Sequence, residues 1–344
     1  MIEPIKRPDS LKWGKLKERY GREDLLAMWV ADMDFAIAEP IQKAIEEVAK
    51  RRDFGYGYYP QELFEAVMGW HRRRFGVEVE KEWIIFVPGV LAGVDAANRA
   101  VAGETIIQPP VYPPFFRFGN VHNPLTSDFT IDYKDLETKD AKKLLLCSPH
   151  NPVGRVWSYD ELEKVALIAK KKGWVVLSDE IHADITFKPH TPFWKFYEKS
   201  IAFYAPSKSF NLAGLAFAYA IVPDRALRAA FRRATRFLST TPFGMAATIA
   251  AYNEGEAWLE ELLVYIKRNR DYMLQNLNYE VAESEGTYLL WVKKRGEEFE
   301  RRVVEKAKVA PSFGKDFGDE NYFRLNIATD FAIIRQVTER LNEL

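Results

Sequence analysis

Cysteine is almost missing from this chain of 344 residues, where Cys147 stands alone. A single thiol makes no intrachain disulfide and no cysteine-ligated metal cluster, and it fits a reducing cytoplasm. An excess of one charge is also missing. Lys+Arg and Asp+Glu each total 49, so nothing electrostatic points to nucleic acid or to an anionic membrane as a partner. No apolar run approaches the ~20 residues of a membrane span. The N-terminal "MIEPIKRPDSLKWGKLKERYG" lacks the apolar stretch of a signal peptide. There is no internal repeat and no low-complexity tract. What is plentiful is apolar mass: 47% hydrophobic residues and 14% aromatic ones. That suffices for a large core, in two domains or in one with a smaller appendage.

The middle of the chain alternates short apolar runs with helical patterns. "WIIFVPG" (83–89), "ETIIQPP" (104–110), "KKLLLCSP" (142–149), "GWVVLSDE" (173–180), "SIAFYAPS" (200–207) and "AFAYAIVP" (216–223) read as buried strands. In "SYDELEKVALIAKKKG", Ser158 is an N-cap, Glu161 completes a capping box, and Gly173 ends the helix. Strands alternating with helices imply an α/β fold, a mostly parallel sheet with helices on both faces. Ligands of such sheets bind beyond the carboxyl ends of the strands. Five of these ends carry polar, aromatic or Gly/Pro-rich turns: "PGVLAG", "PPVYPPF", "SPHNPVG", "SDEIH" and "APSK". They are expected to converge on one crevice. Towards the C-terminus, strands at 285–294 and 322–330 lie among helical patterns at 255–277, 296–308 and 330–342, a smaller α+β unit.

Lys208 raises a question of its own. It sits in a small, mostly apolar stretch, "YAPSKSFNLAGLAFAYAIVP", and a lysine is costly to bury unpaired. Taken alone it reads equally well as a surface residue at a bend. Its neighbours at the crevice change the reading. Asp179, Asn151 and Tyr112 follow three other strands. A lysine there can form a Schiff base if its pKa is depressed, and a carboxylate can keep a heterocyclic nitrogen protonated. Those are the needs of pyridoxal 5'-phosphate (PLP). A helix beginning after Gly89, at Val90 and Leu91, can offer backbone N–H groups to a phosphate.

"MWVADMDF" (28–35), "FGYGYYP" (54–60), "PGVLAGVDAA" (88–97), "IIQPPVYPPFF" (106–116), "LLLCSPHNPVGRVWS" (144–158), "LSDEIHADITF" (177–187), "APSKSFNLAGL" (205–215) and "EGTYLLW" (285–291) follow one another along the chain. In this order they resemble the fold-type I PLP enzymes of the class I/II aminotransferase superfamily, in the branch of cystathionine β-lyase-like C–S lyases. The resemblance implies a large PLP-binding domain over 41–260 and a small domain formed by 1–40 with 261–344. It implies that Lys208 is the Schiff-base lysine and moves the Cα proton, and that Asp179 pairs with the pyridinium nitrogen. Asn151 and His182 would stand near the ring oxygen, with Tyr112 stacked on the ring. Val90, Leu91 and Ser207 would contact the phosphate. Tyr56 would reach the phosphate of a neighbouring subunit, which implies a homodimer with shared sites. Arg324 would clamp the substrate carboxylate, with Asn151 beside it. His150, Cys147 and Trp291 read as structural.

One departure stands out. Many aminotransferases carry an arginine eight residues after the lysine, and here that position is Ala216. The regions 116–142 and 293–315 also look trimmed. The activity implied is β-elimination from cystathionine or cysteine, giving a thiol, pyruvate and ammonia. Two rivals share the same cofactor residues: an amino-acid aminotransferase, and a PLP-binding regulatory protein without turnover.

Overall fold

The computed structural model describes residues 2–55 and 57–344. Eleven strands form two sheets among the described residues. In chain order they are β1 (Leu26–Met28), β2 (Ile84–Val87), β3 (Thr105–Ile107), β4 (Val121–His122), β5 (Lys143–Cys147) and β6 (Val175–Asp179), then β7 (Ser200–Tyr204), β8 (Ala218–Ile221), β9 (Leu289–Lys293), β10 (Val309–Phe313) and β11 (Tyr322–Asn326).

Seven strands make the larger sheet in the order β2-β8-β7-β6-β5-β3-β4. Only β8 runs against its neighbours. The pairs β3–β4, β3–β5, β5–β6 and β6–β7 are parallel, and two antiparallel steps across β8 turn β2 the same way. All six expected strands of the middle region are present, and the carboxyl ends of β2, β3, β5, β6 and β7 share one edge. Register fixes their level there, since Cys147 pairs with Asp179 and Asp179 with Phe203.

The central strands are buried along almost their whole length and carry mostly apolar residues on both faces, as parallel strands covered by helices must. Leu145 and Cys147 point into one layer with Val94, Phe115 and Phe231. Leu144 and Leu146 point into the other with Trp157, Leu162 and Trp174. The crossover helix Tyr159–Lys172 between β5 and β6 starts and stops where its caps dictate. Ser158 Oγ accepts the Glu161 N–H, Glu161 Oε2 accepts the Ser158 N–H at 2.8 Å, and Gly173 takes the left-handed conformation at φ 69°. Lys143 is almost fully buried in β5. Its ammonium donates to the carbonyls of Asn98 and Val101, at the C-terminal end of the helix Val90–Ala100, where the helix dipole favours a cation.

The second sheet has the order β1-β10-β11-β9. The expected strands at 285–294 and 322–330 appear as β9 and β11, and the helical patterns around them as Glu256–Asn276, Phe299–Glu305 and Phe331–Asn342. Strand β1 pairs in parallel with β10, so residues 26–28 join the sheet built from residues 289–326. Trp291 is fully buried, stacked on Tyr322 at 5.4 Å between centroids, and belongs to the core as expected.

Candidate active site

A cavity of about 760 Å³ opens at the carboxyl edge of the larger sheet. The five strand ends meet there. After β2 come Gly89, Val90 and Leu91; after β3, Tyr112; after β5, Asn151; Asp179 ends β6, followed by His182; Ser207 and Lys208 follow β7. Arg324 enters from β11 of the second sheet. Tyr56 lies outside the described residues. All the other site residues expected from the sequence line this one cavity.

Lys208 sits in the turn Pro206–Ser209 and opens onto the cavity. Its Nζ donates to the Ala31 carbonyl at 2.6 Å. Protein surrounds the amine closely, and desolvation brings its pKa down to about 8; Asp32 and Asp179 oppose that fall, while Arg324 adds to it. The turn is anchored one residue on. Ser209 Oγ donates to Asp184 at 2.7 Å, and the Trp70 indole N–H donates to the same carboxylate at 3.0 Å.

Asp179 is buried and accepts the Ile181 N–H at 3.1 Å. Burial pushes its carboxyl up to about 7, with the Ile181 hydrogen bond and Lys208 acting the other way. Its neighbour Glu180 faces away into a closed hub, where it accepts from Ser178 Oγ, the Phe193 N–H and the Tyr204 hydroxyl, with His190 Nε2 at 2.8 Å. The adjacent carboxylates therefore divide the work: one is structural, and one faces the cavity.

Arg324 is 5% exposed. It donates to Asn151 Oδ1 at 2.9 Å and to the Trp29 carbonyl at 2.6 Å, and among the described residues its Nε has no partner. Desolvation lowers its pKa to about 10, so it stays charged at neutral pH. His182 is buried against the edge of Tyr288, with Nδ1 unpartnered; desolvation, then Lys208, hold its pKa well below the usual value, leaving it neutral. The Tyr112 phenol is pushed up first by burial and then by Asp179, so it is a neutral hydroxyl. Cys147 also lines the cavity. Its thiol is pushed up by burial and pinned by the Asn151 N–H at 3.4 Å, an inert structural group. His150 binds the Pro110 carbonyl at 2.9 Å, again structural.

The segment Trp29–Asp32 was not given a role from the sequence, although it lies in the quoted "MWVADMDF". It forms a wall of the site. Ala31 takes the lysine and also the Tyr288 hydroxyl at 3.1 Å. Trp29 accepts from Ser312 as well as from Arg324. Asn326 Nδ2 binds the carbonyls of Val30 and Asp32, both at 2.6 Å. Asn326 is two residues after Arg324 on the same strand face, a spacing that could have flagged it.

Residues 28–341 match the family aminotransferase class I and II. Cystathionine β-lyase PatB of Bacillus subtilis is 35% identical over 96% of this chain and 95% of its own length. The PLP-bound C–S lyase of Staphylococcus hominis superposes with a TM-score of 0.91 at 29% identity, covering 99% of this chain and 96% of that one. Cystalysin of Treponema denticola, which contains PLP, gives 0.91 at 30% identity over 98% and 96%. The fold is that of the type I PLP enzymes. The chain belongs to the class I and II aminotransferase family.

The residues here fit PLP. A lysine with a lowered pKa and a buried carboxylate face one cavity, and a cationic ring N–H would return that carboxylate to its charged form. The unpartnered His182 Nδ1 lies buried beside the cavity wall. Around Gly89 the space is open: a Cβ there would meet no heavy atom within 4 Å. The first turn of the helix Val90–Ala100 lines that opening, and among the described residues no side chain caps it, which leaves its N–H groups for a phosphate. Where an arginine is common, Ala216 lines the cavity instead.

Proposed function

We propose that the protein is a PLP-dependent C–S β-lyase that splits a cysteine thioether such as cystathionine into a thiol, pyruvate and ammonia. The observation that carries this reading is the meeting of Lys208, Asp179 and Arg324 around one cavity. It is joined by the similarity to PatB and to the C–S lyases over nearly the whole chain.

When bound, PLP supplies an electron sink for the pair left on Cα as its proton departs. The chain does the rest. Val90, Leu91 and Ser207 would hold the phosphate, Tyr112 would pack against the ring, and Asn151 and His182 would serve its oxygen. Asp179 would keep the ring nitrogen protonated. Arg324 binds the substrate carboxylate through its fork and so fixes the Cα–H bond in direction. Lys208, its pKa near 8, takes that proton as a general base, and the sulfur leaves as thiolate.

Two further readings belong with this proposal. Residues 41–260 act as the large domain, and 1–40 with 261–344 as the small one. The active unit is a homodimer in which Tyr56 contacts the phosphate of the other subunit's site. Exposed aromatics flank that position: Phe54, Tyr58 and Tyr59, with Phe237 exposed as well. A further cavity of similar volume lies beside them, lined by Tyr59, Phe64, Phe86 and Leu238. Its lining also carries Glu80, Lys81, Glu82, Arg232 and Arg236, and an apolar patch rimmed by polar residues supports an interface.

Incubation with cystathionine and no keto acid tests the activity. Continuous release of pyruvate is expected. An arrest after one equivalent per site would make the protein an aminotransferase, and no reaction with a wide amino-acid panel would make it a PLP-binding protein without turnover.

A further inference from the structure

The mouth of the cavity carries a salt bridge that the chemistry above does not use. Arg19 Nη2 lies 3.2 Å from Asp316 Oδ2, with the side chains 42% and 40% exposed, and both residues line the cavity. A pair this exposed contributes little to folding. It is, however, placed with respect to the inner site. The Arg19 guanidinium stands over the Trp29 ring, 4.8 Å from its centroid. The backbone carbonyl of the same tryptophan holds Arg324. Two guanidinium groups are therefore set at the two ends of one residue, one deep and one at the rim, and the rim one has a carboxylate beside it.

We infer that the Arg19–Asp316 pair receives the far end of a thioether that carries an amino-acid group at both ends. Arg19 takes the distal carboxylate and Asp316 takes the distal ammonium, while Arg324 holds the carboxylate at the reacting end. This deepens the C–S lyase reading and rests on it. The distal group is a zwitterion and so is the pair. Docking exchanges one internal ion pair for two charge-assisted hydrogen bonds and leaves no net charge enclosed. A substrate with only a small alkyl group on sulfur leaves the pair closed. The selected class is bis-amino-acid thioethers, of which cystathionine is one.

Four substrates separate the contributions: cystathionine, S-(2-carboxyethyl)cysteine, S-(2-aminoethyl)cysteine and S-methylcysteine. Pyruvate release by the holoenzyme gives kcat and KM for each. Relative to S-methylcysteine, Arg19→Gln should lower kcat/KM roughly tenfold, equivalent to about 1.4 kcal/mol, for the two substrates with a distal carboxylate, mainly through KM. Asp316→Asn should do the same for the two with a distal ammonium. The same crossover is expected in calorimetric affinities measured on Lys208→Ala protein, where turnover does not interfere. An even loss across all four substrates, or none, overturns the assignment. If the wild type releases no pyruvate from any of them, the lyase reading fails by itself, and the calorimetric crossover then decides the role of the rim pair: its presence supports the role and its absence removes it.

Discussion

Lys208 and Asp179 show how burial prepares opposite charges for opposite tasks. On the proposed function, Lys208→Ala is expected to reduce turnover by orders of magnitude, because Lys208 would be both the covalent anchor and the base; the variant should also lose the visible absorption of cofactor held on the lysine. Near-normal turnover would show that another residue serves. Asp179 leads to a pH effect in the apoprotein. Its folded pKa is raised to about 7 from an ordinary 3.8. Between those values the folded chain keeps a proton that the unfolded chain has lost, so this group makes stability fall as pH rises, by at most about 1.4 kcal/mol per unit. Lys208, lowered to about 8 from 10.5, acts in the other direction: between those values the unfolded chain keeps a proton that the folded chain has lost, so its contribution makes stability rise with pH. Urea unfolding of the apoprotein at pH 5 and pH 7, with and without Asp179→Asn, should show the falling component vanish in the variant.

At the scale of elements, the helix Tyr159–Lys172 provides a direct check on local signals. Ser158→Ala removes half of its capping box and should lower stability by about 1 kcal/mol, read as a lower urea midpoint with an unchanged slope. That helix was legible because its caps are written in neighbouring residues. The central strands were legible because they are unbroken apolar runs, and their turns revealed the site. Strands β1, β4 and β10 were not legible. Two have three residues or fewer, too few for alternation to show. The third, "VAPSF", carries Pro311, which argues against a strand on sequence grounds. In the second sheet Pro311 is paired with Met28, and its carbonyl is used by the Tyr20 hydroxyl at 2.6 Å. The wall formed by Trp29–Asp32 was missed for a related reason. It acts through backbone carbonyls, which every residue has, and only the asparagine and arginine side chains that bind them could have given it away.

At the scale of the whole molecule, the proposed shared-site dimer leads to a complementation test. Lys208→Ala and Tyr56→Phe chains are mixed under conditions that exchange subunits. In a heterodimer one site then carries both defects and the other carries neither, so activity should return in part. No recovery in verified heterodimers, or a fully active monomer, would end the shared-site reading. The wall itself has a thermodynamic consequence within one chain. Lys208 holds Ala31, while Arg324, Ser312 and Asn326 from the second sheet hold Trp29, Val30 and Asp32. The proposed cofactor capture by the lysine and carboxylate capture by the arginine would thus pull on a single short tether, and the two equilibria should be linked. Linkage is reciprocal: the factor by which saturating propionate alters PLP affinity must equal the factor by which PLP alters propionate affinity. The prediction is that this factor departs from one and that Asn326→Ala, which loosens the tether, brings it back towards one. A factor of one in the unaltered chain would show that the two ends of the tether move independently.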